Sequence, residues 1–243
     1  MATMLERWTP AGPIRSTLPP EAIAQEEARA AASVGEAAPL GLFGFAAATF
    51  TLSAVNAGWF SAATALYAIV PLIVFGGLVQ FVAGMWEFRK GDLFAATAFG
   101  SFGGFNAAYG LTILLKQAGL IVGPGAGMGV LGVFVISFGL IAGMLAIAAL
   151  WKNMALVGVL FFLMITFVLL GIGMIASGST MMTHIGGYAG LVSSVLAFYT
   201  GGAIVINSTS TRPIFPLGAP MPIDMSSPVA AGMAPPSTSQ RIS

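Results

Sequence analysis

Apolar residues dominate the middle of the chain in long runs that are separated by short polar breaks. About 20 consecutive apolar residues cross a bilayer core as a helix, and this length divides the middle of the chain into six predicted spans. Their bounds are residues 40–57, 64–87, 93–115, 127–150, 154–176 and 184–207. A transmembrane β-barrel would instead show short segments of alternating polarity. The pattern therefore predicts an all-α polytopic membrane protein.

Polar segments flank the predicted membrane domain on both sides. Residues 1–36 form a polar N-terminal tail, residues 37–208 contain the six spans, and residues 209–243 are rich in proline, serine and small residues. A segment of that composition buries too little apolar surface to order its backbone. We therefore expect residues 209–243 to be disordered.

Composition narrows the class of protein further. The chain of 243 residues is 57% hydrophobic and only 7% charged, with no cysteine and a net charge of +1. So few charges cannot cover a water-exposed surface, so most of the surface is predicted to face lipid. The near-neutral charge gives no support to a nucleic-acid partner. The absence of cysteine excludes disulfides and thiolate metal sites, and no phosphate-loop, HExxH or GxSxG motif occurs, so we predict neither an enzyme nor a bound metal or cofactor.

Positive charges in the loops predict the orientation of the spans. An even number of spans places both tails on one side, together with Arg89, Lys90 and Lys152 in the second and fourth loops. The loops on the other side carry only Lys116. Because cytoplasmic loops are enriched in lysine and arginine, both termini are predicted to be cytoplasmic, in a plasma (inner) membrane.

Two short segments echo each other at similar places in the two halves of the domain. "LGLFGF" begins at Leu40 in the first span, and "LGVFVI" begins at Leu131 in the fourth. Halves of three spans each would run in opposite directions, as the inverted repeats of transporters do. In a chain rich in glycine and leucine, chance similarity is the equal alternative.

A few polar side chains lie within or at the ends of the spans. Gln80 and Glu87 are seven residues apart and face one side of the second span, and Asn106 lies well inside the third. Such groups usually face a bundle interior or a water-filled cavity. Gln80 and Asn106 either line a solute pathway or bond between helices. Glu87 either lies at the cytoplasmic mouth of a pathway or pairs with Arg89 or Lys90.

The remaining candidates have structural and functional interpretations. His184, the only histidine, either makes hydrogen bonds at the membrane interface or relays protons. Glycines four apart, at 100 and 104, 125 and 129, and 186 and 190, are predicted to allow close helix packing. A few uncharged polar groups among aromatic and small residues suit the passage of a small, weakly polar solute. The alternatives are a channel for urea, ammonia or water, and a membrane scaffold that acts through its tails.

Three motifs in order resemble the acetate uptake transporter family, the succinate–acetate permeases. The family opens its first span with Asn-Pro-Ala-Pro-Leu-Gly-Leu, and residues 36–42 read "EAAPLGL". The stretch "GGLVQFVAGMWEFRKGDLF" fits a second family motif at positions that include Gln80, Glu87 and Lys90. The third match is "HIGGYAGL", followed by "PLG" after the last span.

The resemblance implies a specific function and assembly. Members of this family have six transmembrane helices per protomer, assemble as hexamers with one pathway in each protomer, and carry acetate, related monocarboxylates and in some cases succinate, often with protons. Their pathway narrows at three side chains that match Phe45, Phe102 and Leu163, with Met164 as the alternative to Leu163. Phe102 replaces a tyrosine of typical members, which makes this constriction wholly apolar and, by inference, unfavourable for a bare anion.

Overall fold

The computed structural model describes residues 19–25, 35–61, 64–121, 126–176 and 179–222. Within these ranges six helices are long and apolar enough to cross a membrane, and no strand occurs. Their bounds are α1 Ala38–Asn56, α2 Ala65–Lys90, α3 Leu93–Gln117, α4 Ala126–Ala149, α5 Met154–Ile175 and α6 Thr180–Thr209. A further helical turn covers residues 20–25. The prediction of an all-α protein with six spans is confirmed.

Local sequence signals explain where the helices begin and end. α2 runs three residues beyond the predicted end at 87, and Gly91 stops it by adopting a left-handed conformation with φ of 87°. The side chain of the next residue, Asp92, accepts a hydrogen bond from the Ala95 N–H and so caps α3. Asn153 caps α5 in the same way through the Leu156 N–H. Three consecutive residues, Lys90, Gly91 and Asp92, therefore determine the tight turn between α2 and α3.

The middle of α2 is a π-helix, which the apolar pattern does not predict. It spans Leu72–Val79, directly after Pro71 inside the helix. Proline has no N–H to donate to the preceding turn, so regular α-helical hydrogen bonding is interrupted there. The wider turns leave the Gly76 carbonyl to accept a hydrogen bond from the Asn106 side chain of α3 at 3.0 Å. The π-helical segment thus provides a hydrogen-bonded contact between α2 and α3.

The helices form a ring in which each packs against its neighbours in sequence and α6 returns to α1. Glycine allows the closest approach between α1 and α6, because a Cβ at Gly187 would clash with the backbone nitrogen of Ala57. Between α2 and α3, a Cβ at Gly84 would lie 2.6 Å from the Gly100 nitrogen. Lipid gives no hydrophobic drive for association, so such close backbone contacts hold the ring together.

The predicted glycine pairs behave differently from one another. Gly186 packs against Leu170, and a Cβ at Gly190 would clash with the Ser53 hydroxyl, so this pair lies at helix contacts as predicted. Gly104 and Gly129 have no atom within 4 Å of the place a Cβ would occupy, so packing within the protomer is the wrong explanation for them. Residue 125 lies outside the described residues.

The chain after α6 departs from the predicted disorder as far as residue 222. We call residues 210–222 the C-terminal strap. It lacks regular secondary structure, but its backbone is held to α4, α5 and α6 by hydrogen bonds, among them one from the Ala155 N–H to the Leu217 carbonyl at 3.0 Å. Unsatisfied backbone groups at helix ends give such a proline-rich segment hydrogen-bond partners that composition alone does not reveal. Residues 223–243 lie outside the described residues.

Candidate functional site

Two cavities lie inside the ring of helices. The first offers about 40 Å³ to the centres of water-sized spheres and is bordered by residues such as Ser53, Asn106 and Thr166. The second offers about 250 Å³ by the same measure and extends to the end of the bundle that carries Glu36 and Lys152. We call this end the charged end, and the two cavities the far cavity and the charged-end cavity. The charged end is the one predicted to face the cytoplasm.

The two cavities share three lining residues, which are Phe45, Phe102 and Leu163. They come from α1, α3 and α5, alternate members of the ring, so each projects inward from a different direction. All three are almost completely buried, with exposed fractions of 4%, 3% and 2%. We call these three side chains the neck. They are the residues that the sequence proposes as the constriction.

Aromatic rings pack tightly around the neck. The Phe102 ring lies 6.5 Å from Phe45, 6.3 Å from Phe138 and 6.1 Å from Phe167, measured between ring centroids. Phe105, one turn along α3, lies 4.7 Å from Phe167 and lines the far cavity. None of the three neck side chains offers a hydrogen bond, so a solute that passes between the cavities meets only carbon there.

Gln80 and Asn106, which line different cavities, form a hydrogen bond between α2 and α3. Asn106 Nδ2 donates to Gln80 Oε1 at 3.2 Å and to the Gly76 carbonyl at 3.0 Å. Gln80 lines the charged-end cavity, whereas Asn106 lines the far cavity. Each residue therefore bonds across α2 and α3 and also borders a cavity, and its place on a solute pathway stays a prediction.

Glu87 borders neither cavity. Its side chain is completely buried, Oε1 accepts a hydrogen bond from the Ala37 N–H at 3.0 Å, and Oε2 lies 3.7 Å from Lys90 Nζ. In the described part of the chain, Oε2 has no hydrogen-bond partner. Because Ala37 is the N-cap of α1, this carboxylate holds the start of α1 against the end of α2. The geometry is that of the ion-pair alternative rather than of a pathway mouth.

Two ion pairs flank the opening of the charged-end cavity. Lys90 pairs with Glu36, and Lys152 Nζ lies 2.9 Å from Asp92 Oδ2 while sitting 5.7 Å from the centre of the Phe94 ring. Burial opposes ionisation of Asp92, but the hydrogen bonds from Lys152 and the Ala95 N–H prevail and hold the pKa of Asp92 below its ordinary value. The opening is thus lined by fixed charges of both signs.

Several of these features escape prediction from the sequence. Sequence reasoning assigned no site role to Asp92 and used Lys152 only for the orientation of the spans, although charges this isolated in an apolar chain are a usable signal. Phe105 and Thr166 carry no signal that separates them from ordinary core residues.

His184 lies at the opposite end of the bundle, where a Cβ on Gly58 would come within 3.0 Å of its Nε2. It borders neither cavity.

The described residues hold no group of three or more histidine, cysteine, aspartate or glutamate side chains that could bind a metal ion. What they do hold is a ring of six membrane-spanning helices around two cavities that share one apolar neck. This combination defines a multi-pass membrane protein of the channel or carrier class.

Comparison with known proteins gives the family. The sequence model of the GPR1/FUN34/yaaH family matches residues 16–222, and the chain belongs to this family. It is 34% identical over 181 residues to the succinate-acetate/proton symporter SatP of Escherichia coli K12, covering 74% of this chain and 94% of that protein.

Further relatives differ in what their names describe. Acetate permease A of Emericella nidulans is 32% identical and is covered over 64% of its length by 74% of this chain. The ammonia transport outward protein 2 of Saccharomyces cerevisiae is 31% identical, over 75% of this chain and 66% of its own. A solved structure, described as the bacterial acetate channel SatP, superposes with a TM-score of 0.70 at 33% identity, covering 76% of this chain and 99% of that one.

Proposed function

We propose that this protein moves acetate and related short monocarboxylates across the plasma (inner) membrane, with succinate as a larger candidate substrate. The observation that carries the proposal is the neck. Two cavities lie toward opposite ends of the bundle and share only Phe45, Phe102 and Leu163 as lining residues. The names of the bacterial symporter, the fungal permease and the solved acetate channel support the substrate class.

The chemistry of the path suits a small carboxylate with a short apolar chain. In the charged-end cavity, Gln80 accepts a bond from Asn106, and among the described residues its amide nitrogen has no acceptor, so that it can donate to a carboxylate oxygen. At the neck a bare carboxylate would lose water without gaining a donor, whereas a protonated acid loses much less. We therefore propose that the protein either conducts the solute as a channel or carries it together with a proton.

Assembly and orientation complete the proposal. We place both termini in the cytoplasm, because Arg89, Lys90, Lys152 and Arg212 all lie at the charged end. Each protomer contains its own neck, which suits a homo-oligomer, proposed to be a hexamer, with one pathway per subunit. Within this proposal Glu87 has a structural role, as the anchor of α1.

A second candidate substrate is ammonia, a small neutral solute. Two observations favour it, namely the apolar neck, which disfavours ions, and the yeast relatives named as ammonia transport outward proteins. Ammonia has no carboxylate group for the Gln80 amide to donate to, so this alternative assigns no role to Gln80.

Purified protein in liposomes separates the two candidates. We expect labelled acetate to enter faster than in protein-free vesicles and to be competed by propionate, while alkalinisation by ammonia matches the protein-free control. The protein-free control is essential because undissociated acetic acid crosses lipid unaided. Faster entry of ammonia alone, with acetate uptake at the control level, would contradict the proposal in favour of the alternative.

A further inference from the structure

The C-terminal strap follows a fixed path across the charged end. Asn207 near the end of α6 accepts hydrogen bonds from the Ile214 and Phe215 N–H groups at 2.8 and 3.0 Å. Its Nδ2 donates back to the Phe215 carbonyl at 2.8 Å. The Tyr199 hydroxyl donates to the Pro216 carbonyl at 2.6 Å. The side chains of Asn207 and Tyr199 thus hold residues 214–216 of the strap against α6.

The next residues of the strap satisfy backbone groups at two helix ends. The Leu217 carbonyl accepts from the Ala155 N–H in the first turn of α5, and the Met221 N–H donates at 2.8 Å to the Leu150 carbonyl just after α4. Such groups have no partner inside their own helix. Gly218 turns the chain between these contacts with φ of 79°, where a side chain would meet Met154 at 2.7 Å.

This path directs one side chain of the strap inward. From residue 211 to residue 222 every residue is exposed except Leu217, which is partly buried. Leu217 lines the charged-end cavity together with Lys152, Leu156 and Ile204. The remaining strap residues line neither this cavity nor the far cavity. The strap therefore contributes a single apolar wall residue to the cavity, next to its ion-paired opening.

We propose that Leu217 is a specificity-determining residue, which limits the chain length of the aliphatic monocarboxylate that the charged-end cavity accepts. The effect on transport rests on the proposed function, whereas the position of Leu217 in the wall of the charged-end cavity does not depend on it. Gln80 and Leu217 line the same cavity, so the apolar chain of a carboxylate that bonds to Gln80 would occupy the space that Leu217 bounds. Shortening Leu217 opens space for further methylene groups, whereas acetate is too short to use that space.

The test compares acetate with hexanoate in three proteins, wild type, Leu217→Ala and Ile214→Ala. Ile214 is an exposed neighbour in the same strap that borders neither cavity, which makes Ile214→Ala the matched control. The first measurement is the thermal stabilisation of purified protein in lipid nanodiscs by each acid, which reports binding whether or not flux occurs. The second is the concentration of hexanoate that halves labelled acetate uptake into liposomes.

We expect Leu217→Ala to strengthen hexanoate binding roughly threefold or more, because each newly buried methylene contributes a few-fold in affinity. Acetate binding should change less than twofold, and Ile214→Ala should match wild type in both. Tyr199→Phe, which removes one of the hydrogen bonds that hold the strap to α6, should shift the preference in the same direction as Leu217→Ala. The same hexanoate-to-acetate ratio in Leu217→Ala and wild type would overturn the inference. Absence of acetate flux in wild type would instead refute the proposed function, and the stabilisation ratios would still decide the role of Leu217.

Discussion

A hydroxyl placed in the neck should favour the anionic form of the substrate. Phe102→Tyr adds one to the ring that borders both cavities, and the neck residues Phe45, Phe102 and Leu163 hold no other hydrogen-bonding group. A carboxylate that passes this point would gain a donor where wild type offers none. The protonated acid would gain less, because hydrogen bonds to charged acceptors are the stronger ones.

The size of the effect follows from these two kinds of hydrogen bond. A bond to a charged group contributes about 1.5–3 kcal/mol and a neutral one about 0.5–1.5 kcal/mol. The difference of about 1 kcal/mol or more corresponds to a rate ratio of about fivefold to tenfold. We therefore expect Phe102→Tyr to raise the flux of the ionised acid by about fivefold to tenfold more than it raises the flux of the protonated acid.

The assay is uptake of labelled acetate into liposomes at a series of pH values, with equal amounts of folded protein. Phe138→Tyr is the matched control, because Phe138 packs against Phe102 at 6.3 Å but borders neither cavity. Its pH profile should follow that of wild type. Identical profiles for Phe102→Tyr and wild type, or an equal rise in Phe138→Tyr, would refute the argument that the neck discriminates against the anion.

Two further predictions concern the charged end. Glu87→Gln should lower the free energy of unfolding by about 1–2 kcal/mol through its weaker bond to the start of α1, with flux per folded protein unchanged and a smaller loss for the exposed Glu36→Gln; reduced flux at unchanged thermal stability would contradict this. The Asp92–Lys152 pair stabilises the fold above the ordinary pKa of aspartate, and this contribution is lost as pH falls through the lowered pKa of folded Asp92. Lys152→Met should therefore be less stable than wild type at neutral pH, by roughly 0.5 kcal/mol for so exposed a pair, and the gap should narrow in acid; thermal unfolding against pH measures it, and a gap that stays constant would be the contrary result.

The long apolar runs were sufficient to predict the spans, because a bilayer requires each helix to be apolar along most of its length. The predicted and observed bounds differ by only a few residues, as for α2, which ends at Lys90 instead of 87. The π-helix at Leu72–Val79 was not predicted, since it depends on how Pro71 and Asn106 meet across two helices. The inverted repeat stays a prediction.

The neck illustrates what spacing along the chain cannot provide. Phe45, Phe102 and Leu163 lie on three helices and are separated by more than fifty residues each, so no local pattern relates them. Only the resemblance to a family proposed them together, and the cavities give that proposal a geometric basis. The strap fails prediction for the opposite reason, because its proline-rich composition resembles disorder while its order depends on partners such as Asn207.

The most direct test of the pathway fills the neck. Leu163→Trp adds a bulky ring where the two cavities meet, and labelled acetate uptake is measured in liposomes beside wild type and protein-free vesicles, with thermal unfolding and assembly size verifying that the variant is folded. We predict saturable uptake in wild type and uptake at the protein-free level in the folded variant. Wild-type uptake in folded Leu163→Trp would contradict a pathway through the neck.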